Sequence, residues 1–137
     1  MPPDPERLRE TRAWFVRVDQ DVRCAQLVLA AAPPVLTDAL FHCQQATEKA
    51  LKGFLVWHQC AFRKTHDLRE LGIQCTDIDP SLKPLLLRAA PLSKYAGKFR
   101  YPGEEPDPTF EEAQTSLALA REVVEAILSR LPAEVRP

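Results

Sequence analysis

Between His42 and Leu55 the sequence reads His-Cys-Gln-Gln-Ala-Thr-Glu-Lys-Ala-Leu-Lys-Gly-Phe-Leu. Its polar members recur at spacings that a helix gathers onto one side. At roughly 100° per residue, His42, Gln45, Glu48, Lys49 and Lys52 share an arc, with Gln44 at its border. Leu40, Cys43, Ala46, Thr47, Ala50, Leu51, Phe54 and Trp57 share the opposite arc, a face suited to burial. Gln44 and Glu48, Gln45 and Lys49, and Glu48 and Lys52 each stand four apart. The last pair has the favoured acidic-before-basic order and stabilises a helix by about 0.3–0.5 kcal/mol. Two amides interleaved with ordered charges can hold the polar edge of a ligand or a second subunit. The same stripe also reads as a solvated helix face laced with ion pairs, and both readings stay open.

Two further clusters carry chemistry: Arg63-Lys64-Thr65-His66-Asp67 and Lys98-Phe99-Arg100-Tyr101. His66 stands at a predicted helix start, where the positive end of the dipole disfavours the protonated ring. It reads either as a neutral imidazole donating one hydrogen bond across the fold or as an acid/base or ligand-binding group. Arg100 lies between two aromatics, and Tyr101-Pro102 hold it in extended chain. It reads equally as an anion-binding guanidinium and as a salt-bridge partner of Glu48 or of a helix end. His42 and His58 read as surface or core-edge histidines. If the three clusters converge, they form a cationic pocket rimmed by aromatics, fit for a phosphate and a base.

Other chemistries drop out. There is no G-x-S-x-G, no G-x-x-x-x-G-K, and only four glycines to shape a phosphate loop. Eighteen basic and nineteen acidic side chains give a net charge of −1, so no global field draws nucleic acid or an anionic membrane. Any such role needs a local patch. Cys24, Cys43, Cys60 and Cys75 are scattered without a C-x-x-C pair, which predicts free thiols and no zinc site. No metal or cofactor is called for. The N-terminal residues lack a signal pattern, and the longest apolar runs are too short to span a bilayer. A reduced, cytoplasmic protein is expected.

The elements that must position these clusters are helical throughout. Asp4-Pro5 reads as an N-cap and first helical residue, opening a long helix to about Ala31 that Pro33-Pro34 end. Its outer face alternates arginines with acids, as a solvated or a phosphate-facing surface would. A second helix is predicted from near Val35–Asp38 to about Gln59. Thr65 would cap a one-turn connector over 66–71 that Gly72 stops, with 73–80 irregular and Asp77 and Asp79 available as caps. Residues 81–98 have a helical pattern that Pro91 must kink or divide. Thr109 and Glu112 form a capping-box signature for the last helix, which Pro132 stops. With no strand-like alternation, the expected fold is all-α. It is a single domain over 1–137, an antiparallel up-and-down bundle of four long or medium helices plus a short connector helix. The wide apolar stripes of the first and last helices make a dimer reasonable.

The residues carrying these clusters also resemble a known family. Phe41-His42-x-Gln44-Gln45-Ala46-x-Glu48-Lys49-Ala50-Leu51-Lys52, then Thr65-His66-Asp67-Leu68, then Tyr95 leading to Arg100-Tyr101-Pro102, are similar to the HEPN domain (higher eukaryotes and prokaryotes nucleotide-binding). Trp14 followed by Asp21 fits as well, and the likeness runs from about residue 8 to 131. The resemblance implies a helical bundle that dimerises and often works beside a minimal nucleotidyltransferase, in toxin–antitoxin-like pairs. Some branches are metal-independent ribonucleases marked by an Arg followed four to six residues later by a His. Here Arg63 precedes His66 by three, and no His follows Arg100. The expectation is therefore a nucleotide-binding, more accessory than catalytic, homodimeric subunit. Gln45, Glu48, Lys49, Lys52, His66, Arg100 and Tyr101 would face the nucleotide. A divergent ribonuclease acting on RNA through His66 and Arg100, or a protein-interaction module without a nucleotide, are the alternatives.

Overall fold

In a computed structural model that describes residues 2–99, 101–103 and 105–137, every regular element is a helix. Helix α1 spans Pro5–Ala30. The Asp4 carboxylate accepts from the Glu6 amide and Pro5 takes the first helical position, as the sequence predicts. Helix α2 spans Leu36–Trp57. The two run antiparallel: Arg7 lies over the Trp57 ring at one end, and Asp21 meets His42 towards the other. They also lie close. A Cβ placed on Gly53 would come within 2.7 Å of the Phe15 ring, so only glycine admits this approach.

The connector is longer than its pattern suggests. Helix α3 covers Leu68–Ile78, eleven residues rather than one turn. Asp67 is its cap, accepting from the Arg69 amide, while the Thr65 hydroxyl accepts one step earlier from the Asp67 amide. Gly72 does not stop the helix. Leu68, Leu71 and Cys75 are buried at helical spacing around it, and their burial outweighs the roughly 1 kcal/mol that an internal glycine costs. Residues 73–78, expected to be irregular, are therefore helical.

Asp79 then caps a 3₁₀ turn over Pro80–Leu82. Helix α4 follows at Lys83–Ala89 with Pro84 in its first turn. From Ala90 to Ala96 the chain tightens into a 3₁₀ run, with Pro91 unable to supply an α-helical hydrogen bond. This segment divides where the sequence predicts, but its α-helical part is the shortest of the five. Gly72 faces Leu86 and the Leu68 amide donates to Ser93 Oγ, so α3 and the α4 segment form an antiparallel hairpin.

Helix α5 spans Phe110–Leu128, with the Thr109 hydroxyl accepting from the Glu112 amide. The Glu112 carboxylate accepts instead from the Tyr95 hydroxyl, which ties α5 to the 3₁₀ run. After Pro132 a last 3₁₀ turn, Ala133–Val135, buries Val135.

Helix α2 is the axis. It packs against α1, α3, α5 and the 3₁₀ run, and Leu40, Ala46, Ala50, Leu51, Phe54 and Leu55 have almost no exposed surface. The stripes of α1 and α5, offered by the sequence as a dimer face, are mostly inside: Phe15, Val18, Ala25, Ala113, Ala120, Val123 and Ile127 are buried. A helix enclosed this way must also take part of its polar side into the interior.

Candidate functional site

Two carboxylates organise that polar side. Glu48 is 4% exposed. Its Oε1 accepts from Gln44 Nε2 at 3.0 Å and lies 2.7 Å from His66 Nδ1, while its Oε2 accepts from Lys52 Nζ at 3.0 Å. Gln44 Nε2 also donates to the His66 carbonyl, and Gln45 Nε2 donates to Gln44 Oε1 at 2.7 Å. The Lys52 ammonium stands 5.8 Å from the centre of the Phe62 ring. Burial alone would raise the Glu48 pKa, but the donors Gln44, His66 and Lys52 together hold its carboxyl below the ordinary value.

An ionised Glu48 makes Nδ1 of His66 the donating nitrogen and fixes the plane of the ring. That ring is 69% exposed. The arrangement is an imidazole anchored from behind by a buried anion and open in front, on a loop flanked by exposed Arg63 and Lys64. Arg63 itself pairs with Glu70. Chemically, such a histidine can hydrogen-bond a ligand or pass a proton.

The second carboxylate is Asp21 on α1. It takes Lys49 Nζ at 2.6 Å and lies 2.8 Å from His42 Nδ1. Lys49 and Gln45, spaced for each other, thus find other partners. His42 is 27% exposed and its ring packs edge-on against Phe41. The sequence sets Asp21, with Glu10 and Asp19, among the acids of the outer face of α1 as well as in the resemblance, but the structure buries it at 7% exposure. The missed signal was its register: Val18, Asp21, Ala25 and Leu29 step three and four apart along a buried face, so this acid had to be inside.

Of the sequence-predicted residues, Glu48, Lys52, Gln45 and His66 come together with Gln44, and Lys49 joins the Asp21 cluster a turn away. Tyr101 is 59% exposed, and Arg100 lies outside the described residues. The third cluster approaches α2 at its other end. Thr37, Asp38 and Phe41 enclose a hollow of about 200 Å³ with Tyr95, Lys98 and Phe99. Phe41 and Glu48 are seven residues apart, about 10 Å along the helix axis. Glu48 itself is enclosed, with Gln44, His66 and Lys52 taking up its two carboxylate oxygens.

Compared with protein-family models, residues 11–131 match the HEPN domain. The chain belongs to the HEPN family. Both carboxylate clusters of this HEPN domain, and all of α2 and α3, fall inside the match. Comparison with the curated proteins and with the solved structures finds no match. Among the described residues no helix is long and apolar enough to cross a membrane, and no group of His, Cys, Asp and Glu is placed to hold a metal ion. All four cysteines are free, with Cys43 and Cys75 buried.

Proposed function

We propose that this HEPN domain is a nucleotide-binding module, a homodimeric accessory or substrate-binding subunit acting beside a minimal nucleotidyltransferase. One observation carries the reading: the exposed His66 ring is held by buried Glu48, which Gln44 and Lys52 also bind. The division of labour follows burial. Glu48 and Lys52, at 4% and 8% exposure, position the site. His66, Gln45, Arg100 and Tyr101 touch the nucleotide, with the guanidinium on phosphate and the tyrosine stacked on the base. Lys49 backs the stripe through Asp21.

Calorimetry with ATP, GTP and their diphosphates, with and without the neighbouring transferase, tests this. Heat is expected with at least one nucleotide and is lost in His66→Ala. Absence of heat with every nucleotide in both settings overturns the reading.

The His66–Glu48 pair also favours a second reading, a divergent metal-independent ribonuclease. A carboxylate that orients an imidazole is the arrangement a general acid/base needs. His66 would deprotonate the 2′-hydroxyl and Arg100 would stabilise charge on the phosphate. Single-stranded RNA incubated in EDTA decides between them: cleavage by wild type and none by His66→Ala supports the enzyme, and equal absence of cleavage removes it.

A further inference from the structure

The hairpin of α3 and α4 leaves a groove on its outer side, about 270 Å³, between Gly72, Ile73 and Thr76 on one helix and Leu86, Leu87 and Ala90 on the other. Ile73 and Leu87 flank it with 55% and 59% of their surface in solvent. Large side chains this exposed, side by side over a concave floor, form a patch that water does not favour. The floor is low because residue 72 is glycine. Nothing within the chain requires that glycine: α3 passes through it as ordinary helix, and an added Cβ would meet Leu86 at 3.5 Å, a normal contact. Alanine would suit the isolated helix better by helix propensity.

The ends of the groove carry opposite charge. Arg69 lines one end and Asp77 the other, with exposed Ile73 midway between them on the same face of α3. Among the described residues neither the Arg69 guanidinium nor the Asp77 carboxylate has an ion-pair partner. Lys83 also lines the Asp77 end, and its flexible stem can keep the ammonium in water.

We infer that this face is self-complementary and docks a second copy of the chain, with the two α3 helices antiparallel about a two-fold axis through Ile73. In an isologous contact the same patch meets itself. Arg69 and Asp77 lie four residues either side of Ile73, so the axis brings each Arg69 onto the Asp77 of the second copy, twice per dimer. Ile73 meets its counterpart, Leu87 covers the flank, and the glycine floor lets the helices close. This deepens the homodimeric clause of the proposed function and rests on nothing in its nucleotide clause.

Sedimentation equilibrium on the full chain, from micromolar to about millimolar protein, tests it. Wild type is expected to dimerise. Ile73→Asp is expected to be monomeric with unchanged helical circular dichroism. Arg69→Asp and Asp77→Arg each set like charges opposite one another twice, and each is expected to raise the dimer dissociation constant at least about tenfold. Mixing those two variants pairs opposite charges at both sites, so dimer is expected to return in the mixture as a heterodimer. A wild-type dimer indifferent to all three substitutions overturns this face and leaves the homodimeric clause standing. A wild-type monomer at every concentration overturns both and hands the groove to a different protein. Nucleotide heats are read separately and are unaffected by either result.

Discussion

Two clusters on α2 have the same parts and differ in where they sit. Asp21 gathers Lys49 and His42; Glu48 gathers Lys52 and His66. The first joins two long helices side by side, and its histidine is 27% exposed. The second joins a helix to a loop, and its histidine is 69% exposed. A carboxylate between two helices ties them to each other, and here it does so through Lys49 and His42. One that reaches a loop ring from beneath leaves the outer edge of that ring for something else. Matching residue types therefore do not give matching roles, because solvent access decides which donor is still available.

Breaking the Glu48 cluster should have the largest effect. Glu48→Ala leaves the nearly buried Lys52 ammonium without its counter-ion, a loss of about 3–5 kcal/mol in urea unfolding. The corresponding change at the other cluster should be milder. Asp21→Ala is expected to remove about 1–2 kcal/mol, because Lys49 is 24% exposed and can turn towards water. Equal losses at the two sites would erase the contrast.

Acid should sharpen it. The Glu48 pKa is lowered in the folded chain, so the unfolded chain takes up the proton first as pH falls. The stability that ionised Glu48 contributes is full above its ordinary value of 4.5 and is lost as pH drops through the lower folded value. The stability gap between wild type and Glu48→Gln should accordingly be constant near neutrality and shrink below about pH 4.5. A gap that widens in acid would mean that the carboxyl is stabilised in its protonated form.

The smallest effect on folding belongs to the residue given the largest functional part. His66→Ala should change stability by about 0.5 kcal/mol or less, since most of its ring is already in water. His42→Ala, at the more enclosed ring, should cost about 1 kcal/mol. Thermal melts of the two variants side by side check the order, and the reverse order would assign the functional histidine to the α1–α2 seam.

Much of this protein is set by local rules that a sequence states outright. Asp4-Pro5 and Thr109 with Glu112 mark helix starts because capping is a contact between near neighbours. Pro91 ends α4 because a proline cannot donate. The grouping of Gln44, Glu48 and Lys52 on one flank of α2 follows from helical period alone.

The extent of α3 did not follow from local rules, since Gly72 breaks a helix only when burial around it does not compensate. Nor did the fate of the polar stripe. Helical spacing gives its angle around α2, but only packing on α1, α3 and α5 closes that angle off from water. The partners of Glu48 and Asp21 come from 18 and 21 residues away in sequence, through His66 and His42. Spacing along one helix carries no information about such distant pairings, and it is these that turn a row of polar residues into one closed seam and one exposed imidazole.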